Sequence, residues 1–161
     1  MKTCIFIVGD RHSGKTSIVR SLTGVTREGL WDVKNRQGTE RKALVLVSAI
    51  TERCARENPP NKFPSSIEKE FGISRNDYDI LICPFELRTW EKYSLDKYID
   101  NATIEGFTVK VAIIRTTWDG QSSDIQHIEE ICRQKGLTPL ILDASNDYNP
   151  ESAKIRTQFY H

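Results

Sequence analysis

The sequence predicts an α/β fold of three layers, a mostly parallel sheet of five or six strands with helices on both faces. Apolar runs recur at residues 3–8, 43–49, 78–83, 108–115 and 139–142. They are continuous, as in Ile80-Leu81-Ile82 and Val111-Ala112-Ile113-Ile114, so each strand buries both of its faces, as strands of a covered parallel sheet do. Helical periodicity falls between the runs, which gives the alternation that a parallel sheet requires.

The first run, Thr3-Cys4-Ile5-Phe6-Ile7-Val8, reads as a strand rather than a leader, since no small-residue cleavage site follows it. Residues 13–23 place Ile18, Val19 and Leu22 on one helical face, with Gly24 as the stop. The segment 26–42 is polar, contains Gly29 and Gly38, and is expected to be a mobile loop before the second strand. Asn58-Pro59-Pro60-Asn61 marks another loop, because paired prolines break both helix and sheet. Ser65-Ser66-Ile67-Glu68 and Ser123-Asp124-Ile125-Gln126 have capping-box spacing, and Gly72 and Gly136 close the helices they open. Leu95, Tyr98, Ile99 and Ala102 form a further helical stripe ending before Gly106. The expected order is βα-β-αβ-αβ-αβ in a single domain spanning 1–161, with a tail from 149 too short to form another.

At 161 residues with 38% hydrophobic and 28% charged residues, the chain has a soluble, folded composition. No apolar run approaches the roughly 18 residues of a membrane span. The net charge of +1 gives no general electrostatic case for nucleic acid or acidic membranes. Cys4, Cys54, Cys83 and Cys132 are scattered without zinc-ligand spacing, so reduced thiols and a cytoplasmic location are expected.

Gly9-Asp10-Arg11-His12-Ser13-Gly14-Lys15-Thr16 satisfies G-x-x-x-x-G-K-[ST] at every fixed position. The pattern is expected to cradle phosphates. Gly9 lets the chain leave the strand in a dihedral region closed to side-chain-bearing residues, and Gly14 allows backbone to approach phosphate closely. The intervening amides converge as a nest in front of the positive end of the next helix. Lys15 is the expected catalytic charge on the outer phosphates, and the Thr16 hydroxyl the expected Mg²⁺ ligand. Ser17 completes the predicted binding set of residues 9–17. Arg11 and His12 are expected on the solvent side of the loop.

On this motif and its place between a strand and an amphipathic helix, the chain resembles the P-loop NTPase superfamily, and its layout resembles that of Ras-like small GTPases over most of its length. That family reads guanine with Asn-Lys-x-Asp after its fifth strand, where this chain has Thr116-Thr117-Trp118-Asp119, matching at the aspartate only. Its later Ser-Ala-Lys loop corresponds to Asp143-Ala144-Ser145-Asn146. The resemblance implies that Asp119 accepts from guanine and that Ser145 lies beside the base. A helix-capping aspartate is the alternative for Asp119. The segment 26–42 would stand where the family has its first switch loop, with Thr26 or Thr39 toward the metal and Arg27, Arg36 or Arg41 toward the phosphates; the alternative is a solvated loop.

The family's Asp-x-x-Gly after the third strand has no counterpart here. Glu52 and Glu86 are the carboxylates near strand ends that could hold Mg²⁺, and each is otherwise a surface acid. A second resemblance, to the group containing dethiobiotin synthetase and the molybdopterin-guanine dinucleotide accessory GTPase, rests on Tyr78-Asp79-Ile80-Leu81-Ile82-Cys83-Pro84-Phe85-Glu86 and implies Glu86 in that role. The expected activity is Mg²⁺-dependent binding of ATP or GTP with slow hydrolysis coupled to 26–42 and stimulated by a protein partner. The alternatives are a kinase acting on a small-molecule or nucleic-acid acceptor, and a non-hydrolysing nucleotide sensor.

Overall fold

The computed structural model describes residues 2–10, 13–24, 26–34, 37–50, 58–86, 95–117, 119–121, 125–145 and 148–159. It is an α/β structure with a six-stranded, mostly parallel sheet and five α-helices among the described residues. The strands are β1 (Lys2–Gly9), β2 (Gly29–Lys34), β3 (Glu40–Val45), β4 (Ile80–Glu86), β5 (Phe107–Thr116) and β6 (Leu140–Asp143). The helices are α1 (Lys15–Thr23), α2 (Ser65–Phe71), α3 (Leu95–Ile104), α4 (Gln126–Gln134) and α5 (Tyr148–Phe159).

The strand order is β2-β3-β4-β1-β5-β6, with β1 parallel to both β4 and β5 and only β2 antiparallel to its neighbour. Side chains of a strand alternate between faces, and β1 divides accordingly. Cys4, Phe6 and Val8 pack with Ile67 of α2, with Leu95, Tyr98 and Ile99 of α3, and with Ile128 of α4. Ile5 and Ile7 pack on the opposite side with Ile18, Val19 and Leu22 of α1 and Ile155 and Phe159 of α5. Two buried clusters, one on each face, make three layers. Among the described residues no helix is long and apolar enough to cross a membrane.

Several expectations are corrected. The segment 26–42 is mostly strand, since β2 and the first residues of β3 pair from Gly29↔Val45 to Lys34↔Glu40. Its polarity follows from its place, because β2 is an edge strand and of its side chains only Val33 is fully buried. The tail carries α5, anchored by Ile155 and Phe159. Strand β4 continues through Pro84 to Glu86, with Pro84 opposite Ile7. The Ser65–Glu68 capping box does not form, because Glu68 instead accepts from Tyr78 (2.5 Å) and from Arg75. The second expected box includes Ser123 and Asp124, which lie outside the described residues; α4 begins at Gln126.

Candidate phosphate-binding site

A parallel sheet offers a crevice outside the carboxyl ends of its strands where neighbouring strands send their connections to opposite faces. Here that point lies between β1 and β4. Strand β1 leads to α1 on the α5 side, and β4 is followed by α3 on the other side. The residues at the two strand ends, Gly9 and Glu86, are direct register partners.

From Gly9 the chain turns through part-buried Asp10, whose carbonyl accepts from the Ser13 amide at 3.1 Å. The dihedral freedom expected to require glycine at position 9 is instead used at position 14. Gly9 is not among the glycines of positive φ; a Cβ there would stand 2.3 Å from the Ser13 hydroxyl oxygen, so close packing is what requires glycine. Gly14 has φ 108° and ψ 12°, a left-handed conformation that disfavours a side chain. A Cβ at Gly14 would also meet Ala144 Cβ at 3.2 Å and the Tyr148 ring at 3.5 Å.

Two polar side chains are enclosed by this turn. Lys15 is 7% exposed, and its ammonium donates to the carbonyls of Gly9 (3.1 Å) and Asp10 (2.6 Å), spanning the turn that precedes α1. Ser13 is fully buried, and its hydroxyl has no hydrogen-bond partner among the described residues. A buried polar atom without a partner is rare in folded proteins, so this hydroxyl calls for a ligand or ordered water. Thr16 and Ser17 occupy the first turn of α1 and are part-buried. Arg11 and His12, the remaining loop positions, lie outside the described residues.

The loops after β5 and β6 meet beside this turn. Thr116 pairs with Asp143, and the Ala144 amide donates to the Thr116 carbonyl at 2.8 Å. Asp119 is exposed and closes its own loop: its Oδ1 accepts from the Thr117 hydroxyl and from the Gln121 amide. The Thr117 hydroxyl, then the backbone amides, hold the Asp119 carboxyl below the usual aspartate value. Asp143 is held low in the same way, first by the Ser145 hydroxyl and then by the Ser145 amide. The two loops expected near the base are therefore adjacent, while Trp118 and Asn146 lie outside the described residues, as does Glu52. Tyr148, which with Ala144 stands against the Gly14 position, was not legible as a neighbour of this turn, since no local pattern links it to a loop more than a hundred residues away.

No family model matches this sequence, and no curated protein matches it. Solved structures share the fold, two among them the following. A de novo designed PLOOP2X3_50 fold protein has 13% identity and a TM-score of 0.50, with 97% of this chain and 90% of that chain covered. The tunicamycin resistance protein of Deinococcus radiodurans has 11% identity and a TM-score of 0.50, with 96% and 94% covered. The fold is P-loop-like. Its strand order also locates the carboxylate question, because β4 rather than β3 lies beside β1, and Glu86 is the acid at that strand's end.

Proposed function

We propose that the chain binds a nucleoside triphosphate with Mg²⁺ through residues 9–17 and hydrolyses it slowly. The observation that carries this reading is the turn between β1 and α1, where a buried Ser13 hydroxyl with no partner among the described residues, a left-handed Gly14 and the buried ammonium of Lys15 follow one another along the chain. These groups suit an anion. Lys15 would exchange its bonds to the Gly9 and Asp10 carbonyls for phosphate oxygens, and Ser13 would gain the partner it lacks.

The donor set also suits Mg²⁺, which keeps much of its water and is held by one or two protein oxygens plus phosphate. Among the described residues no three His, Cys, Asp or Glu side chains cluster for a metal. Thr16 and Glu86 are the residues assigned to it, Thr16 through its hydroxyl and Glu86 through its place opposite Gly9. When bound, the ion supplies charge neutralisation at the outer phosphates. The protein's share is positioning and electrostatic stabilisation by Lys15 and the loop amides, which supports slow turnover that a protein partner accelerates.

Asp119 and Ser145 are assigned to the base side of the site, on the loops beside Gly14. Because Oδ1 of Asp119 is already shared by Thr117 and Gln121, its contribution is to hold that turn against the base rather than to pair with guanine through both oxygens. Coupling to residues 26–42 is not retained, since strand pairing ties that segment into the sheet. The test is release of phosphate from labelled ATP and GTP over hours with Mg²⁺. Product from the wild type and none from Lys15→Ala supports the reading; intact triphosphate with both would leave a binding module that does not hydrolyse.

A second reading, transfer of the terminal phosphoryl group to an acceptor, is favoured by the Gly9↔Glu86 pairing, since the resemblance that places a metal-side carboxylate at Glu86 is to enzymes acting on small acceptors. It predicts turnover that rises when the acceptor is added.

A further inference from the structure

Strand β2 ends the sheet on one side, and no described residue pairs with its outer edge. Such an edge presents a row of unpaired amides and carbonyls that a further strand can join. Leu30, Trp31 and Ile104 are the exposed large apolar side chains among the described residues, and two of the three stand on β2. From Leu30 to Lys34 only Val33 is buried. Charged side chains ordinarily guard an edge of this kind, and those of β2 are complementary to themselves.

Residues alternate between the faces of a strand, so Asp32 and Lys34 share one face and Trp31 and Val33 the other. Val33 belongs to the cluster that holds Ile18 of α1 and Ile155 of α5, which leaves the charged pair on the opposite side of the sheet. Behind that pair, β3 sets Lys42 opposite Asp32 and Glu40 opposite Lys34. The Lys42 ammonium lies 2.8 Å from the Asp32 carboxylate. An antiparallel second copy of β2, centred on Val33, brings Asp32 of each chain opposite Lys34 of the other. The row across four strands then reads Lys42, Asp32, the second copy's Lys34 and the second copy's Glu40, alternating in sign throughout, and the twofold axis repeats it in reverse. Other registers lack this match. Centring on Asp32 opposes two carboxylates, and centring on Lys34 opposes two ammonium groups. Centring on Trp31 sets Asp32 against Leu30 and Lys34 against Glu28, whose carboxylate already accepts from the Val47 and Ser48 amides at 2.9 and 3.0 Å. A shift by one residue puts side chains on opposite faces.

We propose that the outer edge of β2 is a homodimer interface, at which a second copy of this chain pairs antiparallel about Val33 and joins the two six-stranded sheets into one. The symmetry is that of the commonest protein dimer, with the same strand used by both chains. Strand hydrogen bonds and the apolar contacts of Leu30 and Trp31 supply the affinity. The alternating charges fix the register and reject the others. The interface goes beyond the phosphate-loop reading and does not depend on it.

The experiment is sedimentation equilibrium of the full chain without nucleotide, on wild type, Asp32→Lys, Lys34→Glu and an equimolar mixture of the two variants. Both positions are exposed, so the buried clusters stay intact, and urea midpoints check that each variant folds. The wild type should pass from the mass of one chain to that of two between about 10 μM and 1 mM. Each variant alone opposes like charges at both contacts and should associate at least about tenfold more weakly. The mixture should recover association, because a mixed pair has opposite signs at both contacts. Lys34→Gln, which removes the charge without reversing it, should fall between wild type and Lys34→Glu, and keeps the test available if a reversed charge prevents folding. A wild type that remains a single chain throughout would overturn the proposal. So would variants that associate as the wild type does, or a mixture no stronger than either variant alone.

Discussion

Glu86 stands directly across from Gly9 in the parallel pairing of β4 with β1. A carboxylate at the end of the neighbouring strand therefore borders the turn that holds Lys15, and in the proposed function it faces the metal. Glu86→Gln keeps the shape and removes the charge. The expected outcome is that Mg²⁺, which tightens triphosphate binding to the wild type, ceases to do so in the variant, a loss of about tenfold or more, as removal of a group that supports a metal produces. Binding measured in EDTA should be unchanged. An Mg²⁺ effect of the same size in both proteins would remove Glu86 from the site.

Gly14→Ala tests the turn itself. The substitution forces a side chain into left-handed backbone and toward Ala144 and Tyr148, at an expected cost of about 1–3 kcal/mol. Urea unfolding should show that loss, and triphosphate binding should fall with it. A stability equal to wild type would mean that the loop adopts a different conformation.

Asp119→Ala separates two roles for one carboxylate. With Oδ1 engaged by Thr117 and Gln121, the expected result is a modest and equal weakening of ATP and GTP binding as the turn loosens. A loss confined to GTP would restore direct guanine recognition.

The opposite end of the sheet is held by Glu68, which is 8% exposed and accepts from Tyr78 and Arg75, with Arg75 lying 5.3 Å from the centre of the Phe107 ring. Glu68→Ala leaves a buried phenol without its partner and a part-buried guanidinium with only its long contacts to Glu105 and Ser65, and should cost about 2–4 kcal/mol in urea unfolding. A cost below about 0.5 kcal/mol would contradict this network.

The same region sets an alkaline limit. Burial, then the hydrogen bond to Glu68, pushes the Tyr78 phenol well above its usual value. Burial likewise raises the Cys4 thiol, and it pushes Cys132 up to about 11. Each group keeps its proton in the folded chain at pH values where the unfolded chain has lost it. Stability is thus full below about pH 8.5, falls as the unfolded thiols ionise, and falls more steeply above about pH 10 as the phenol does. Urea midpoints measured from pH 7 to 11 check this, and Tyr78→Phe should flatten the decline above pH 10. Midpoints constant to pH 11 would rule it out.

What could be read from the sequence was what local chemistry decides. The first strand, the turn after it and α1 are contiguous, and the apolar run and helical face that mark them need no distant partner to be recognised. The central strands were legible because both of their faces are buried. Strand β2 was not, because an edge strand whose one fully buried side chain is Val33 looks like a polar loop. Helix α5 escaped notice since few apolar residues, Ile155 and Phe159 among them, anchor it. The Ser65–Glu68 box failed for a tertiary reason, Glu68 being drawn to Arg75 and Tyr78 instead of the helix end. Strand order is equally non-local: Glu86 was one of two candidate carboxylates, and only the pairing of β4 with β1 sets it beside Gly9.

The most direct test of the phosphate-loop reading is the thermal midpoint of wild type and Lys15→Ala in ATP or GTP with Mg²⁺, each against its own ligand-free control. Ligand at about 100 times its dissociation constant stabilises by about 2.7 kcal/mol, a rise of several degrees. We expect that rise in the wild type with at least one of the two nucleotides and none in Lys15→Ala. No shift in the wild type with either nucleotide, or the same shift in both proteins, would contradict the account.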